Sequence, residues 1–541
     1  MKQTIFLFYL SFLILFPELH AQQWHRIYFP NKSTITCSVF EAYDKGYILA
    51  GDFESPEGIP TNGMIIKTDI NGEMLWSKTV SDANDFTSIW DINQTTDYGF
   101  ILTGVTGEQT EWLNPFIMKL DACGQHQWCR IFNLPDLNPE WGQSIWQIPG
   151  GYIALFLAYG DDPQNERIWL YRVDNEGDLV WKQVYAQTDT AIYDENSVRM
   201  CVTNDYHFVI NGFCYYPDPG SPWPQILRPF IIKTDSTGAL EWEIPWAVVN
   251  SYNYYGESYN SITDNQGTIY SSARHIVHDP GNPGDKPGMI KTDVNGNELS
   301  YTDFFPDSEM GTTYTINWLA DSTIALGAFW TDQVGYDGNV GVIKCTRSGN
   351  LIKSKPMFIS QHLFADAVTT FDNKLLLAGG FFDGIWRSHA YNLNAELEYD
   401  TLHSHPFVYD SVCPHPIPSD TIPMDCVVVG LGEQEKSSEN TSMVVFPDPA
   451  SDLIQIRFPE QIMTRQKAIS FTISTYHTLW KELKLEIYDL YGRRKIDQTV
   501  PFDQKQIALR ISDWMNGMYF VRLIYHNQVV GSTKFIKTYT P

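Results

Sequence analysis

Positive charge is scarce in this sequence. The 541 residues include 37 Lys and Arg against 64 Asp and Glu, which gives a formal net charge of −27. A surface this acidic repels phosphate backbones, so we expect no nucleic-acid binding. Residues 443–541 differ, because they contain 13 basic and 9 acidic residues. The rest of the chain therefore carries the negative charge, whose simplest role is solubility.

Long apolar runs are missing, apart from one at the N-terminus. Residues 5–16 are almost wholly apolar, follow Lys2 and precede Ala21. This is the pattern of an export signal at 1–21, with an apolar core too short to span a bilayer. We expect the mature chain to begin near Gln22, to leave the cytoplasm and to contain no transmembrane segment.

Short catalytic and cofactor motifs are absent. The sequence has no G-x-S-x-G elbow, no H-E-x-x-H and no phosphate-binding Gly loop. The Asp-x-Asn-Gly stretches at 69–72 and 293–296 fit turns better than calcium loops, which need more oxygen ligands. We therefore predict no catalytic residue, no cofactor and no metal ion.

Cysteine is sparse, at eight residues, and export would place all of them in an oxidising compartment. Cys123 and Cys129 flank a predicted hairpin turn, and Cys413 and Cys426 flank a Pro-rich stretch, so each pair could form a local disulfide. Metal binding by Cys413 and Cys426 with nearby histidines is the alternative, although the spacing fits no zinc motif. Those histidines are His403, His405 and His415. The sequence leaves open the partners of Cys37, Cys201, Cys214 and Cys345.

A repeat of about 53 residues is the main feature that is present. One half places a basic residue, Asp, Gly and an aromatic residue at fixed spacing, as in Lys67, Asp69, Gly72 and Trp76. Further copies, weaker toward the end, lie at 119–128, 172–181, 233–242, 291–296, 344–349 and 392–399. The other half is a turn and an apolar strand, found at 46–51, 99–104, 151–153, 207–212, 267–272, 323–327 and 374–379.

The residues of the repeat have clear physical roles. Asn-Gly and similar pairs accept the positive φ that hairpin turns require, and Asp can bond the amides of its own turn. The following Trp is large enough to pack between neighbouring sheets. Four short strands per unit, seven times over, predict an all-β fold with a seven-bladed β-propeller at 22–402.

The start of the mature chain matches an outer strand of the repeat. Residues 23–28 (Gln-Trp-His-Arg-Ile-Tyr) are similar to 127–132 (Gln-Trp-Cys-Arg-Ile-Phe). Such a strand can complete the last blade and remove its open edge. Residues 396–402 compete for the same place, and the sequence leaves both possibilities open.

Over residues 24–402 the repeat resembles the blades of many secreted proteins of Bacteroidetes. The resemblance implies a fold and an exported protein, which we expect to be a monomer, but no ligand. Asp69, Gly72 and Trp76 are also similar to the Asp-box of sialidases. Their spacing differs from it, which indicates shared turn chemistry and not a sialidase.

The repeat ends before a Pro-rich stretch. This stretch contains an acidic, Ser-rich run at 433–439 and five prolines, Pro406, Pro414, Pro416, Pro418 and Pro423. Because Pro removes amide donors and stiffens an extended chain, we predict a linker at 403–442.

Strands with a different pattern resume at 443–541. An apolar stretch precedes Pro447-Asp448-Pro449, and a later strand ends in Asp489-Leu490-Tyr491-Gly492-Arg493. Gly517 and Tyr519 then form Gly-x-Tyr, and the last strand carries Lys534 and Lys537. This order of motifs resembles the type A C-terminal sorting domain of the type IX secretion system. The departures are Asp448, where the family has Asn, and an insertion at 459–480.

The resemblance implies a small immunoglobulin-like β-sandwich that the type IX secretion machinery recognises as its partner. It also implies secretion, or attachment to the outer face of the outer membrane, usually with removal of the domain. An ordinary adhesive sandwich is the alternative.

A short pattern clusters near the predicted linker. Exported Bacteroidetes proteins are O-glycosylated where Asp precedes Ser or Thr and a small or apolar residue. The pattern marks Thr401, Ser411 and Thr421 at ten-residue spacing, and recurs at 189–191, 235–237 and 321–323. Because the motif is short, chance matches are equally expected.

Three functions fit these observations. The first is a non-enzymatic surface protein exported by the type IX system, whose propeller binds or displays an unidentified glycan or protein ligand. The second is a carbohydrate-active hydrolase on a propeller scaffold, and the third is an adhesive or structural module. An enzyme should show converging carboxylates in the central pocket, whereas a binder should show an aromatic or polar shelf without such a pair.

Overall fold

In the computed structural model, the described residues form β-strands and connections, with no helix among them. The structure describes residues 24–54, 60–81, 86–107, 113–133, 137–160, 167–185, 198–217, 225–245, 255–277, 284–308, 310–331, 338–359, 362–404, 407–430, 444–446, 449–458, 483–490, 493–500, 506–525 and 528–538. The predicted export signal lies outside this description. The chain divides into two compact units, Met1–Val428 and Val429–Pro541.

The first unit contains, among its described residues, seven antiparallel sheets of four core strands each. A short strand, β1 (His25–Ile27), precedes the first of them. The first three sheets are β2 (Thr34–Glu41), β3 (Tyr47–Glu54), β4 (Pro60–Thr68) and β5 (Met74–Ser81); β6 (Phe86–Gln94), β7 (Phe100–Gly107), β8 (Asn114–Leu120) and β9 (His126–Asn133); and β10 (Leu137–Ile148), β11 (Gly151–Gly160), β12 (Arg167–Val173) and β13 (Leu179–Tyr185).

The next three sheets are β14 (Arg199–Val202), β15 (Phe208–Pro217), β16 (Gln225–Thr234) and β17 (Leu240–Pro245); β18 (Tyr255–Thr263), β19 (Ile269–Val277), β20 (Gly284–Thr292) and β21 (Glu298–Asp303); and β22 (Met310–Trp318), β23 (Ile324–Thr331), β24 (Asn339–Cys345) and β25 (Leu351–Ile359). The last sheet pairs β26 (His362–Thr369), β27 (Leu375–Phe382) and β28 (Trp386–Leu393) with β1. The first strand of each sheet contacts that of the next, and β26 contacts β2. The sheets therefore close into a ring, and the predicted all-β propeller is confirmed.

The repeated Asp and Gly build the turn between the third and fourth strands. In five sheets the Asp Oδ1 accepts from the amides two and four residues later, at 2.7–3.1 Å. The Gly that follows has a positive φ, for example 74° at Gly72. In the last two sheets Thr346 and Asn394 take the place of Asp, and Leu397 stands at a φ of 58° where the others have Gly.

The repeated Trp explains why Gly is needed in that turn. The indole of one sheet lies on the Gly of the next, so a Cβ at Gly72 would stand 2.7 Å from the ring of Trp24. Trp128 and Trp181 lie on Gly177 and Gly238 in the same way. The indole nitrogen often bonds the same turn, as in Trp24 Nε1 to the Ile70 carbonyl at 2.9 Å. This contact joins neighbouring sheets.

In three sheets the repeated Lys connects the end of the third strand to the turn between the first two strands. It lies at the end of the third strand and pairs with an Asp of the turn between the first two strands. The pairs are Lys67–Asp44 at 2.5 Å, Lys119–Asp97 at 2.9 Å and Lys344–Asp321 at 2.8 Å. Lys67 and Asp44 are almost wholly buried, and their charges compensate one another.

The N-terminal strand closes the ring. β1 pairs antiparallel with β28, and His25, Arg26 and Ile27 lie opposite Tyr391, Ala390 and His389. Trp24 is 1% exposed, and its ring takes the place of the missing outer indole. Residues 396–402 were the other candidate for completing the last sheet. They form only an isolated bridge, Leu393 to Tyr399.

The predicted linker at 403–442 is wrong in its first half. Residues 407–430, which we call the strap, run along the outer edges of the first two sheets. β29 (Asp420–Pro423) pairs parallel with β5, and β30 (Val427–Gly430) pairs with β9. Prolines suit such a place, because an edge strand needs no amide donors on its outer side. Residues 431–443 lie outside the description.

The second unit is a β-sandwich. One sheet contains β31 (Val444–Phe446), β32 (Leu453–Arg457) and β35 (Gln506–Arg510), and the other contains β33 (Leu483–Asp489), β34 (Arg494–Val500), β36 (Gly517–Tyr525) and β37 (Gln528–Lys537). Side chains from both sheets form one apolar core, in which Ile454, Ile487 and Phe535 are fully buried.

We expect Gly72→Ala to destabilise the propeller far more than Gly150→Ala. Both glycines have nearly the same φ, 74° and 76°, so both substitutions carry a left-handed strain of about 1–2 kcal/mol. Only at Gly72 would the new methyl meet an indole at 2.7 Å, since the nearest atom at Gly150 is 3.5 Å away. The clash should add roughly 1–3 kcal/mol. Chemical denaturation measures both, and equal losses would contradict the indole contact.

Deleting residues 22–29 should lower the melting temperature and promote association. The deletion removes β1 and Trp24, and it leaves the edge of β28 unpaired. Adding a synthetic peptide of residues 22–29 is the control, because it should restore the melting temperature. A monomer with unchanged melting would show that the strand does not close the ring.

Candidate functional site

The first strands of the sheets share a β-bulge. The register shifts by one residue just before Ser38, Asp91, Ser144, Thr315 and Asp366, and β18 has a wider irregularity. A bulge bends the strand and redirects the side chain that follows it. Because these strands are innermost, a ring of polar side chains surrounds the propeller axis.

The side chains of this ring tie each sheet to the next. Asp366 Oδ2 accepts from the Val39 amide at 2.9 Å, and Asp91 Oδ2 accepts from the Ile145 amide at 2.8 Å. Ser144 Oγ accepts from the Met200 amide at 3.2 Å in the same manner. The axial ring thus repeats one contact, from a bulge side chain to the backbone of the following sheet.

Asp91 and Asp366 form the charged part of the ring. Burial raises the pKa of both carboxyls, and the nearby Asp91 charge helps raise that of Asp366 to about 7. Arg199 acts in the opposite direction on both. Both carboxylates already accept hydrogen bonds from backbone amides. This is typical of structural contacts between sheets and not of an acid and a base that face a substrate.

A second charged network lies on β18, β19 and β20. Arg274 donates to Glu257 Oε1 and to Asp285 Oδ2, each at 2.9 Å, and the Tyr259 hydroxyl donates to Glu257. Burial lowers the pKa of Arg274, but the two carboxylates raise it overall. Beside it, His275 Nδ1 lies 2.9 Å from Asp303 Oδ1. Arg274 therefore engages both of the carboxylates that face it.

A cavity of about 400 Å³ lies where the last sheet meets the first, and we call it the seam pocket. Its lining combines two carboxamides, two hydroxyls, one ammonium, one phenyl ring and one aliphatic side chain. These belong to Asn31, Asn62, Ser33, Thr79, Lys32, Phe53 and Ile385. Among the described residues the lining includes no carboxylate. The volume is within the usual range for small-ligand sites.

The predicted disulfide cysteines are paired, but not locally. Cys123 bonds Cys413 and Cys129 bonds Cys426, across 290 and 297 residues. The local pairing was wrong because the Pro-rich segment packs on the second sheet instead of folding on itself. Since both strap thiols are in disulfides, the structure does not support their alternative role as metal ligands. Burial raises the pKa of the Cys201 and Cys345 thiols to about 12.

The three candidate glycosylation residues, Thr401, Ser411 and Thr421, are exposed. The Asp that precedes each one has a structural partner. Lys374 pairs with Asp400 at 2.5 Å, Trp76 Nε1 donates to Asp410 at 3.0 Å, and Lys78 pairs with Asp420 at 2.5 Å. These contacts give the ten-residue spacing a second explanation, because each Asp fixes the chain to the propeller.

The residues of the predicted sorting motif stabilise the sandwich. Asp489 accepts from the Arg493 amide at 3.0 Å and from its Nε at 2.8 Å, which closes the turn after β33. Tyr519 is 2% exposed, and its hydroxyl donates to the Met515 carbonyl. Gly517 opens β36.

The other motif residues differ in burial, and three of them lie outside the described residues. Lys537 is buried and donates to the Thr538 carbonyl, whereas Lys534 and Pro449 are exposed. Pro447, Asp448 and Gly492 lie outside the described residues.

The axial ring was missed in the sequence, although a signal exists. Ser38, Asp91 and Ser144 are separated by 53 residues, close to the spacing of the other repeated positions in the same sheets. Their side chains differ, so only the spacing reveals them. No signal reveals the seam pocket, because its lining comes from separate segments that only ring closure brings together.

Within the described ranges, no group of three or more His, Cys, Asp or Glu is placed to hold a metal ion. A helix with the length and apolar character of a membrane span does not occur in that part of the chain either.

Residues 444–538 match the family model of the secretion system C-terminal sorting domain. The match identifies the second unit as a sorting domain and indicates export through the type IX secretion system, to the outside or to the cell surface. No curated protein shows significant sequence similarity to the chain.

Solved structures with similar folds have low identity. A protein of unknown function from Dyadobacter fermentans is 13% identical, covers 57% of this chain and 87% of its own, and has a TM-score of 0.33. An α-L-arabinofuranosidase from Fusarium graminearum is 10% identical, covers 69% and 95%, and scores 0.39. A thermostable family-43 glycoside hydrolase is 11% identical, covers 49% and 94%, and scores 0.28. Similarities this low give no information about the activity of this chain.

Asp366→Asn should flatten the pH dependence of stability. The folded pKa of about 7 exceeds the ordinary 3.8, so the folded state holds a proton that the unfolded state releases. Stability of the wild type should therefore fall as the pH rises from about 4 to 7, by on the order of 2–4 kcal/mol. Denaturation at several pH values measures the difference. Asp307→Asn, at an exposed position, is the control, and identical profiles for all three proteins would contradict the assignment.

Proposed function

We propose that this protein is a non-enzymatic surface protein whose propeller binds a ligand outside the cell. In this proposal residues 1–21 direct export, residues 22–430 form the binding domain, 431–442 connect the domains and 443–541 address the chain to the type IX secretion system. We further propose that the mature protein is a monomer that stays at the outer face of the outer membrane or is released.

One contrast carries the proposal for binding. The carboxylates that converge near the axis and around Arg274 are engaged by backbone amides or by the guanidinium. The seam pocket instead combines polar groups with an aromatic ring, and the part of its lining that the structure describes contains no carboxylate. This is the arrangement expected of a binding site and not of a pair of catalytic acids.

The exported chain, residues 22–541, should retain ligands from a glycan and protein array without altering them. A panel of glycosides incubated with the same protein tests the hydrolase alternative. Cleavage that disappears in Asp91→Asn or Glu257→Gln would favour the hydrolase and overturn the proposal. Absence of any retained ligand would favour a purely structural module.

Removing residues 443–541 should leave a folded propeller in the periplasm. The sorting domain is the part of the chain that matches a secretion signal, and the two compact units meet near residue 428 in the sequence. Cell fractionation locates the truncated protein. Residues 431–541 fused to an unrelated exported protein are the control and should bring it to the surface. Normal surface display of the truncated chain would contradict the role of the domain.

We also propose O-glycans at Thr401, Ser411 and Thr421, whose exposure supports it. Mass spectrometry of the exported protein tests this, because each Thr or Ser to Ala substitution should remove one glycan. An unmodified exported chain would leave the structural role of the preceding Asp as the explanation of the pattern.

A further inference from the structure

We propose that the seam pocket binds an acidic sugar, meaning a saccharide unit that carries a carboxylate, and that Lys32 recognises the negative charge. The proposal deepens the proposed binding function, on which it rests, by naming a site and a ligand class.

Lys32 is placed as a cation for a ligand. Its Nζ lies 4.9 Å from the ring centroid of Phe53 and 5.7 Å from that of Phe29. Among the described residues it forms no ion pair, whereas Lys67 and Lys119 each pair with an Asp. An unpaired ammonium in a pocket whose described lining contains no acid favours an anionic ligand.

The backbone that presents Lys32 is strained. Phe29 has a φ of 49°, which is uncommon for a bulky residue and costs free energy. The Lys32 amide donates to the Phe29 carbonyl at 2.9 Å, which closes a tight turn. The turn is needed because the chain passes from β1, in the last sheet, into β2, in the first. It holds Asn31, Lys32 and Ser33 at the pocket.

The remaining lining suits a sugar ring. Carboxamides and hydroxyls, from Asn31, Asn62, Ser33 and Thr79, can exchange hydrogen bonds with sugar hydroxyls because each offers a donor and an acceptor. Phe53 and Ile385 supply apolar surface for the C–H face of the ring. A simple carboxylate would leave the apolar surface of Phe53 and Ile385 unused, and a neutral sugar would offer no counter-charge to Lys32.

Calorimetric titration of the exported chain with sodium glucuronate, glucose and sodium acetate tests the proposal. Glucuronate should bind at least tenfold more tightly than glucose or acetate. Lys32→Met should weaken glucuronate binding at least tenfold and leave glucose unchanged. Lys45→Met is the matched control, because Lys45 Nζ also lies over a phenyl ring, that of Phe371 at 4.7 Å, but outside the pocket.

Equal binding of glucose and glucuronate would overturn the proposal, as would unchanged glucuronate binding in Lys32→Met. Binding of acetate as tight as that of glucuronate would also overturn it, because the site would then recognise a carboxylate alone. If the array yields a ligand that glucuronate does not displace and that Lys32→Met still retains, this site is wrong while the binding function stands. If the array yields none, the binding function itself fails.

Discussion

The indole of one sheet resting on the glycine turn of the next is the contact on which the ring depends. Where it occurs, as at Gly72, Gly177 and Gly238, it requires a large aromatic residue in one sheet and a residue without Cβ in the neighbouring turn, so the two positions constrain each other. Trp24 shows how far this constraint extends, because it directly precedes the first described strand and its indole bonds the first sheet. The contact that closes the ring, between the last sheet and the first, is thus the same as the contact between consecutive sheets.

Two further kinds of contact connect the sheets, one near the propeller axis and one at the outer edges. Near the axis, bulge side chains accept backbone amides from the following sheet. At the outer side, the strap covers the edges of the first two sheets and is bonded covalently to the second. An uncovered sheet edge is a site for unwanted pairing, so the strap protects two of these edges in addition to fixing the chain.

The sequence predicts those parts of the molecule in which one residue type repeats at one spacing. Lys67, Asp69, Gly72 and Trp76 have close counterparts in the earlier units and partial ones in the later units, and the turns and strands follow from their chemistry. The axial ring repeats only its spacing, because Asp91 and Ser144 make the same contact with different groups, a carboxylate and a hydroxyl. The strap and its disulfides could not be predicted, since a Pro-rich composition suits both a free linker and an edge strand. The seam pocket exists only once distant segments meet.

The strap also determines where a pulling force enters the propeller. A tether attached beyond Gly430 would pull on β30 and then on Cys426, whose covalent bond passes the load to Cys129 in the second sheet. Tension would then be shared among the indole contacts between sheets, while β1 and the hydrogen bonds that close the ring lie in the last sheet, away from the point of attachment. A protein held at a cell surface under flow would thereby keep its short closing strand out of the line of force.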